Sequence, residues 1–192
     1  MDAIDVNRCA LVLVDYQAKL MPAIHDAEDV VRCAVLLAEA GHVLGIRVVG
    51  TEQNPKGLGP NVDDVRVRCD ATVAKMHFDA CEDGLVEELD RGRATAGQVV
   101  IAGCEAHVCL MQTVLGLLRK GRQVWVVEPA CGSRRPSDHR LAMERLGSAG
   151  VTLVSPEMVL FEWLRECDHP KFKSVLQLIK SAPFSSADDV HD

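Results

Sequence analysis

The sequence is poor in aromatic residues: two Trp, one Tyr and four Phe make up 4% of its 192 positions. A core must therefore be assembled from Val, Leu, Ile and Ala, which suits strands and helices packed in layers. No segment approaches the roughly 18 consecutive apolar residues of a membrane-crossing helix, so no membrane partner is expected. Dense basic runs are also missing. Leu118–Arg122 and Ser133–Arg135 are too short and too dispersed for phosphate binding, and the formal net charge is −7. No nucleic-acid partner is expected on that ground. The N-terminal Met-Asp-Ala-Ile-Asp carries neither a secretory apolar core nor an Arg-rich presequence, so the expected location is the cytoplasm. Finally, none of the eight cysteines (9, 33, 69, 81, 104, 109, 131 and 167) forms a Cys-x-x-Cys pair. Zinc and thioredoxin-type sites both lean on that spacing, and without a secretory signal a disulfide framework is not expected either.

What remains is an ordinary globular composition, 48% hydrophobic. The length matches about one domain of the usual 150 residues or so. Residues 1–182 read as that domain, and the Ser- and Asp-rich 183–192 as a mobile tail. Cys9–Val14 is a continuous apolar run, as in a strand buried on both faces. Further strands are expected at Ile46–Gly50, around Val73, and at Val99–Ala102, Gln123–Val127 and Val151–Val154. Between them, Asp26–Gly45, Glu82–Arg91, His107–Lys120 and Ser137–Ala149 show helical spacing, with Ser137 a candidate cap. Thr51–Val65, with Asn54-Pro55 and Gly57-Leu58-Gly59-Pro60, reads as a loop. The alternation implies parallel βαβ units: a three-layer, doubly wound α/β sandwich with a six-stranded, mainly parallel, Rossmann-like sheet. Such sheets bind ligands beyond the carboxyl ends of their strands.

Three residues fall at that edge: Asp15 after the first strand, Lys75 after the third, and Cys109 just past the fourth. Cys109 enters the first turn of a helix, where free N–H groups lower a thiol's pKa, and a nearby ammonium would lower it further. A carboxylate could take the thiol proton and return it to a leaving group. Each residue also has an ordinary reading: Asp15 as a turn residue, Lys75 as a solvated charge, Cys109 as core.

A resemblance bears on the choice. Leu11-Val-Leu-Val-Asp-Tyr-Gln17, Val73-Ala-Lys75 with Phe78, Gly103-Cys-Glu-Ala-His-Val-Cys109 and Ala130-Cys-Gly-Ser-Arg134 resemble, in order, the strand, lysine, nucleophile and later-loop segments of the isochorismatase-like cysteine hydrolases. Thr51–Gly59 and His169–Lys173 are similar to the subgroup called isochorismatase domain-containing proteins. The likeness spans residues 9–180. It implies Cys109 as nucleophile, Asp15 as general base and Lys75 as the supporting cation. It also implies a cis Cys104–Glu105 bond that sets the Glu105 N–H beside the Cys109 N–H as an oxyanion hole. Tyr16, Gln17 and Phe78 are candidate pocket walls. Family members usually assemble, so a homo-oligomer is expected.

The departures are informative too. Nicotinamidases of this family hold a metal through Asp and His on the loop after the second strand. Here that loop reads Glu52-Gln-Asn-Pro-Lys-Gly57, so neither metal nor other cofactor is expected. His77 and His107 lie near the site, but His107 faces elsewhere on its helix. Pro129 stands where relatives often carry Asp, leaving Glu128 as the nearby acid. Isochorismatases proper cleave a vinyl ether without a cysteine here, so Cys109 with Asp15 and Lys75 points instead to a small amide-like carbonyl substrate. The rival readings are a binding or assembly protein with a relict triad, a nicotinamidase-type amidase, and a redox-sensing thiol.

Overall fold

The computed structural model of the chain describes residues 3–91 and 97–181. The proposed tail at 183–192 lies outside the described residues. In chain order the elements are β1 (Cys9–Val14), α1 (Ala27–Leu44), β2 (Arg47–Gln53), α2 (Pro55–Leu58), α3 (Asp63–Arg66), β3 (Ala71–Lys75), α4 (Leu85–Leu89), β4 (Gln98–Gly103), α5 (Met111–Arg119), β5 (Gln123–Val127), α6 (Pro136–Ser148), β6 (Thr152–Val154), α7 (Pro156–Leu164) and α8 (Phe172–Ser181).

The strands form one sheet in the order β3-β2-β1-β4-β5-β6, parallel throughout. This is the doubly wound α/β class. Every residue of β1 and β4 is buried, because helices cover both faces of a parallel sheet. α1 turns Val30, Ala34, Leu37 and Ala38 onto one face. It stops at Gly45, whose φ of 76° lets its N–H cap Gly41 and His42. Strand order reverses between β1 and β4, and the chain runs outward to opposite edges of the sheet from there. The crevice at that switch point is where such sheets hold ligands.

Several expectations are corrected. The loop placed at Thr51–Val65 is partly ordered: β2 continues to Gln53, and α2 and α3 follow. The helix expected over Glu82–Arg91 breaks at Gly84 (φ 94°) into a 3-10 turn at Ala80–Asp83 and α4, because glycine tolerates that backbone at no steric cost. His107–Lys120 is not one uniform helix; a π-turn at Ala106–Leu110 precedes α5. Ser137 is not a cap. α6 starts at Pro136, whose fixed φ suits a first helical position. α7 and α8 were not anticipated. Among the described residues no helix is long and apolar enough to cross a membrane.

Candidate functional site

The carboxyl edge of the sheet gathers the three candidate residues. Asp15 follows β1 in a left-handed conformation (φ 54°), uncommon for a residue with a side chain. Its N–H donates to the Thr51 carbonyl at 3.2 Å, and its Oδ1 accepts from Thr51 Oγ1 at 2.6 Å. Its Oδ2 lies 2.8 Å from Lys75 Nζ, with neither side chain exposing any surface. Lys75 Nζ also donates to Gln53 Oε1 at 2.7 Å and, at 3.4 Å each, to the carbonyls of His77 and Phe78. Cys109 is 6% exposed. Its thiol interacts with both Asp15 and Lys75 and donates to Gln53 Oε1 at 3.8 Å.

Gly103 makes room for this convergence. A Cβ there would stand 2.3 Å from the Val14 carbonyl oxygen. The next peptide, Cys104–Glu105, is cis. The turn is anchored to the later loop by Ala106 N–H on Gly132 O at 2.7 Å and Gly132 N–H on Gly103 O at 3.1 Å. The Glu105 carboxylate accepts from the Arg134 N–H and Nε, both at 3.0 Å. Burial pushes the Glu105 carboxyl up, but the Arg134 N–H groups and guanidinium outweigh it and hold the group below its ordinary range.

The thiol does not behave as the sequence suggests. Burial, and then the negative charge of Asp15, push Cys109 up to about 12, and Lys75 offsets only part of this. The reason is geometric: the ammonium is already spent on Asp15. Burial raises Cys9, Cys33, Cys69, Cys81 and Cys131 equally, each to about 12. An elevated thiol therefore does not single out Cys109, and Cys33 and Cys81 also have charged neighbours of both signs. What sets Cys109 apart is that its two, Asp15 and Lys75, form a fully inaccessible pair. Cys109 is thus held as a neutral thiol beside Asp15.

Two of the three pocket candidates are scaffold instead. Tyr16 is fully buried and donates its hydroxyl to the Ala130 carbonyl at 2.5 Å. Gln17, also fully buried, donates to the carbonyls of Gln53 and Gly59 and accepts from the Gln53 N–H. It pins the segment after β2. Neither exposes any atom to a ligand. Phe78 is 50% exposed and Met76 67%, so an apolar rim follows Lys75. Gln53 is the residue the sequence reading passed over. As the last residue of β2 it shares the edge with Asp15 and Lys75, and that position was the available signal.

The donors do not fit a metal of the nicotinamidase kind. Glu52 Oε1 accepts from the Asn61 N–H at 2.9 Å, and the Gln53 amide is spent on Met76 and Lys75. His77 is exposed and bonded to Asp83, and His107 to Ser133 Oγ at 3.0 Å. Among the described residues, no three His, Cys, Asp or Glu side chains converge.

Comparison with known proteins agrees with this architecture. The Isochorismatase domain family matches residues 9–158. Isochorismatase domain-containing protein 1 of Danio rerio is 38% identical over 176 residues, covering 89% of this chain and 61% of that protein. The chain thus spans less than two thirds of that relative's length. Isochorismatase domain-containing protein 2A of Mus musculus is 34% identical over 170 residues, covering 88% and 82%. A Caenorhabditis elegans structure named MAR1 ribonuclease superposes with a TM-score of 0.89 at 31% identity, covering 100% of both chains.

Proposed function

The chain belongs to the Isochorismatase domain family, and from that premise we propose that it is a metal-independent cysteine hydrolase acting on a small amide-like carbonyl compound. The observation that carries this reading is the buried Asp15–Lys75 pair with the Cys109 thiol against it. A structural ion pair alone would give no reason to set a nucleophile at its centre, since dry ion pairs are poor stabilisers.

The reaction follows from a neutral resting thiol. As Sγ attacks the carbonyl carbon, its proton passes to Asp15, so no free thiolate is needed. The tetrahedral oxyanion is held by the N–H groups of Glu105 and Cys109. When the C–N bond breaks, Asp15 returns the proton to the departing amine and a thioester remains on Cys109. Water then gives a proton to Asp15 and attacks the thioester; the acid departs and the S–H is restored. Lys75 keeps Asp15 oriented and balances its charge throughout. The substrate enters past Phe78 and Met76, the exposed apolar rim.

A panel of small amides and ureides, assayed for ammonia release by the wild type and Cys109→Ala, tests the proposal. Turnover by the wild type alone supports it, and turnover by both removes the covalent mechanism. RNA belongs in the same panel because of the name carried by the C. elegans relative. RNA cleavage surviving in Cys109→Ala would point away from acyl chemistry. Self-association is part of the same reading, and light scattering measures it.

A further inference from the structure

Gln53 is 9% exposed and its side chain meets two of the three reactive groups, Lys75 and Cys109. Its main chain is clamped on both sides by Gln17, whose Oε1 accepts from the Gln53 N–H at 2.9 Å and whose Nε2 donates to the Gln53 carbonyl at 3.0 Å. The side chain is therefore free for another task. Its Nε2 donates to the Met76 carbonyl at 2.8 Å, while its Oε1 accepts from Lys75 Nζ at 2.7 Å and from Cys109 Sγ at 3.8 Å. The amide can point only one way, since an ammonium has no acceptor and a carbonyl no donor. One oxygen is thus shared by the cation and the nucleophile.

We propose that Gln53 is a positioning residue: its Oε1 fixes the Lys75 ammonium against the Cys109 sulfur and so sets the reactivity of that thiol. This rests on the Asp15–Lys75–Cys109 reading above. Without Oε1, Lys75 keeps one short contact, to Asp15, and two long ones to carbonyls at 3.4 Å. It can then swing about Asp15, away from sulfur. The titratable groups around the amide are Asp15 just after β1, Lys75 at the end of β3 and the neutral Cys109 thiol before α5.

The test needs no substrate. Iodoacetamide alkylation of Cys109 is followed by peptide mass spectrometry from neutral to alkaline pH, in wild type, Gln53→Met, Lys75→Met and the double variant. Gln53→Met should slow alkylation at neutral pH about tenfold, the worth of one hydrogen bond to a charged group. Lys75→Met should slow it at least as much. The double variant should be no slower than Lys75→Met alone, because Gln53 acts through Lys75. A wild-type rate for Gln53→Met, or slowing that adds in full to that of Lys75→Met, overturns the proposal and makes Gln53 a packing residue. If Lys75→Met itself changes nothing, the triad reading falls and takes this one with it. Gln53→Glu covers the case in which the methionine variant does not fold. It keeps the shape and an oxygen for Lys75 but sets a negative charge beside sulfur, so the alkylation profile should move to higher pH. An unmoved profile again overturns the proposal.

Discussion

Replacing Lys75 by Met tests the electrostatics of the site through stability, and the size of the effect can be worked out. Lys75 and Asp15 form an ion pair with both side chains fully inaccessible. Methionine fills most of the volume but leaves a carboxylate in a dry site with the Thr51 hydroxyl as its one strong donor. Removing one partner of such a pair costs about 3–5 kcal/mol if the other stays charged. The variant has an escape: the carboxylate can take a proton. An aspartate in an unfolded chain titrates near 3.9, so protonating one costs about 4 kcal/mol at pH 7 and about 1.5 kcal/mol at pH 5. That cost is a ceiling on the electrostatic loss. The sign follows: the variant's folded state holds a proton that its unfolded state releases, so its stability is better kept in acid and falls as pH rises. Urea unfolding of wild type and variant at both pH values should show a gap that narrows by about 2 kcal/mol in acid. Asp15→Asn added to Lys75→Met should recover much of the loss at pH 7. A gap that does not depend on pH, or one below about 1 kcal/mol, the usual worth of an exposed pair, would refute the reasoning.

Alkaline pH should destabilise the native fold, because the thiols of Cys9, Cys33, Cys81, Cys109 and Cys131, all buried, and of the half-buried Cys69 are each pushed up to about 12 chiefly by desolvation. The folded state holds these protons more tightly than the unfolded one, so stability is complete below the ordinary thiol range near 8.5 and is lost above it. Urea midpoints should therefore fall between neutral pH and about pH 10, and a flat profile would contradict the burial argument. Gly103→Ala should lose at least about 1–3 kcal/mol of stability, since the new methyl meets the Val14 backbone at 2.3 Å; a wild-type urea midpoint would show that the strand ends can part without cost. EDTA should leave amide turnover and melting temperature unchanged, because the donors after β2 are committed to other partners. Restoration of lost activity by zinc or iron would remove the metal-independent reading and make nicotinamide the first substrate to try.

The sheet was legible because wholly buried parallel strands leave unbroken aliphatic runs such as Cys9–Val14, whose bounds the structure reproduces. The gathering of Asp15, Lys75 and Cys109 at one edge followed from the topology that those runs imply. Local signals gave less when they were weak or passed over. Gly84 inside an apparent helix marks a break, and Ser155-Pro156 opens α7 with the serine side chain accepting from the Met158 N–H. The thiol's direction of shift could not be read from spacing. It depends on how deep Cys109 sits and on the ammonium's being engaged by Asp15, and both are properties of the packed site. Gln53 was hidden for a similar reason: in the sequence it stands beside turn residues, and only strand pairing sets it opposite Lys75. Tyr16 and Gln17 show the reverse case, in which proximity to Asp15 in sequence suggests a pocket although both side chains are turned into the scaffold.

The central claim is a covalent acyl group on Cys109, and acid-quenched mass spectrometry during turnover of the best amide from the panel tests it most directly. The account predicts a mass gain equal to the substrate less its leaving amine, confined to the peptide carrying Cys109 and absent from Cys109→Ser. That variant should fold and lose at least about 10³-fold in rate, because a hydroxyl is far less acidic than a thiol. Steady turnover with no adduct on that peptide, and with Cys109→Ser hydrolysing the same amide at the wild-type rate, would contradict it.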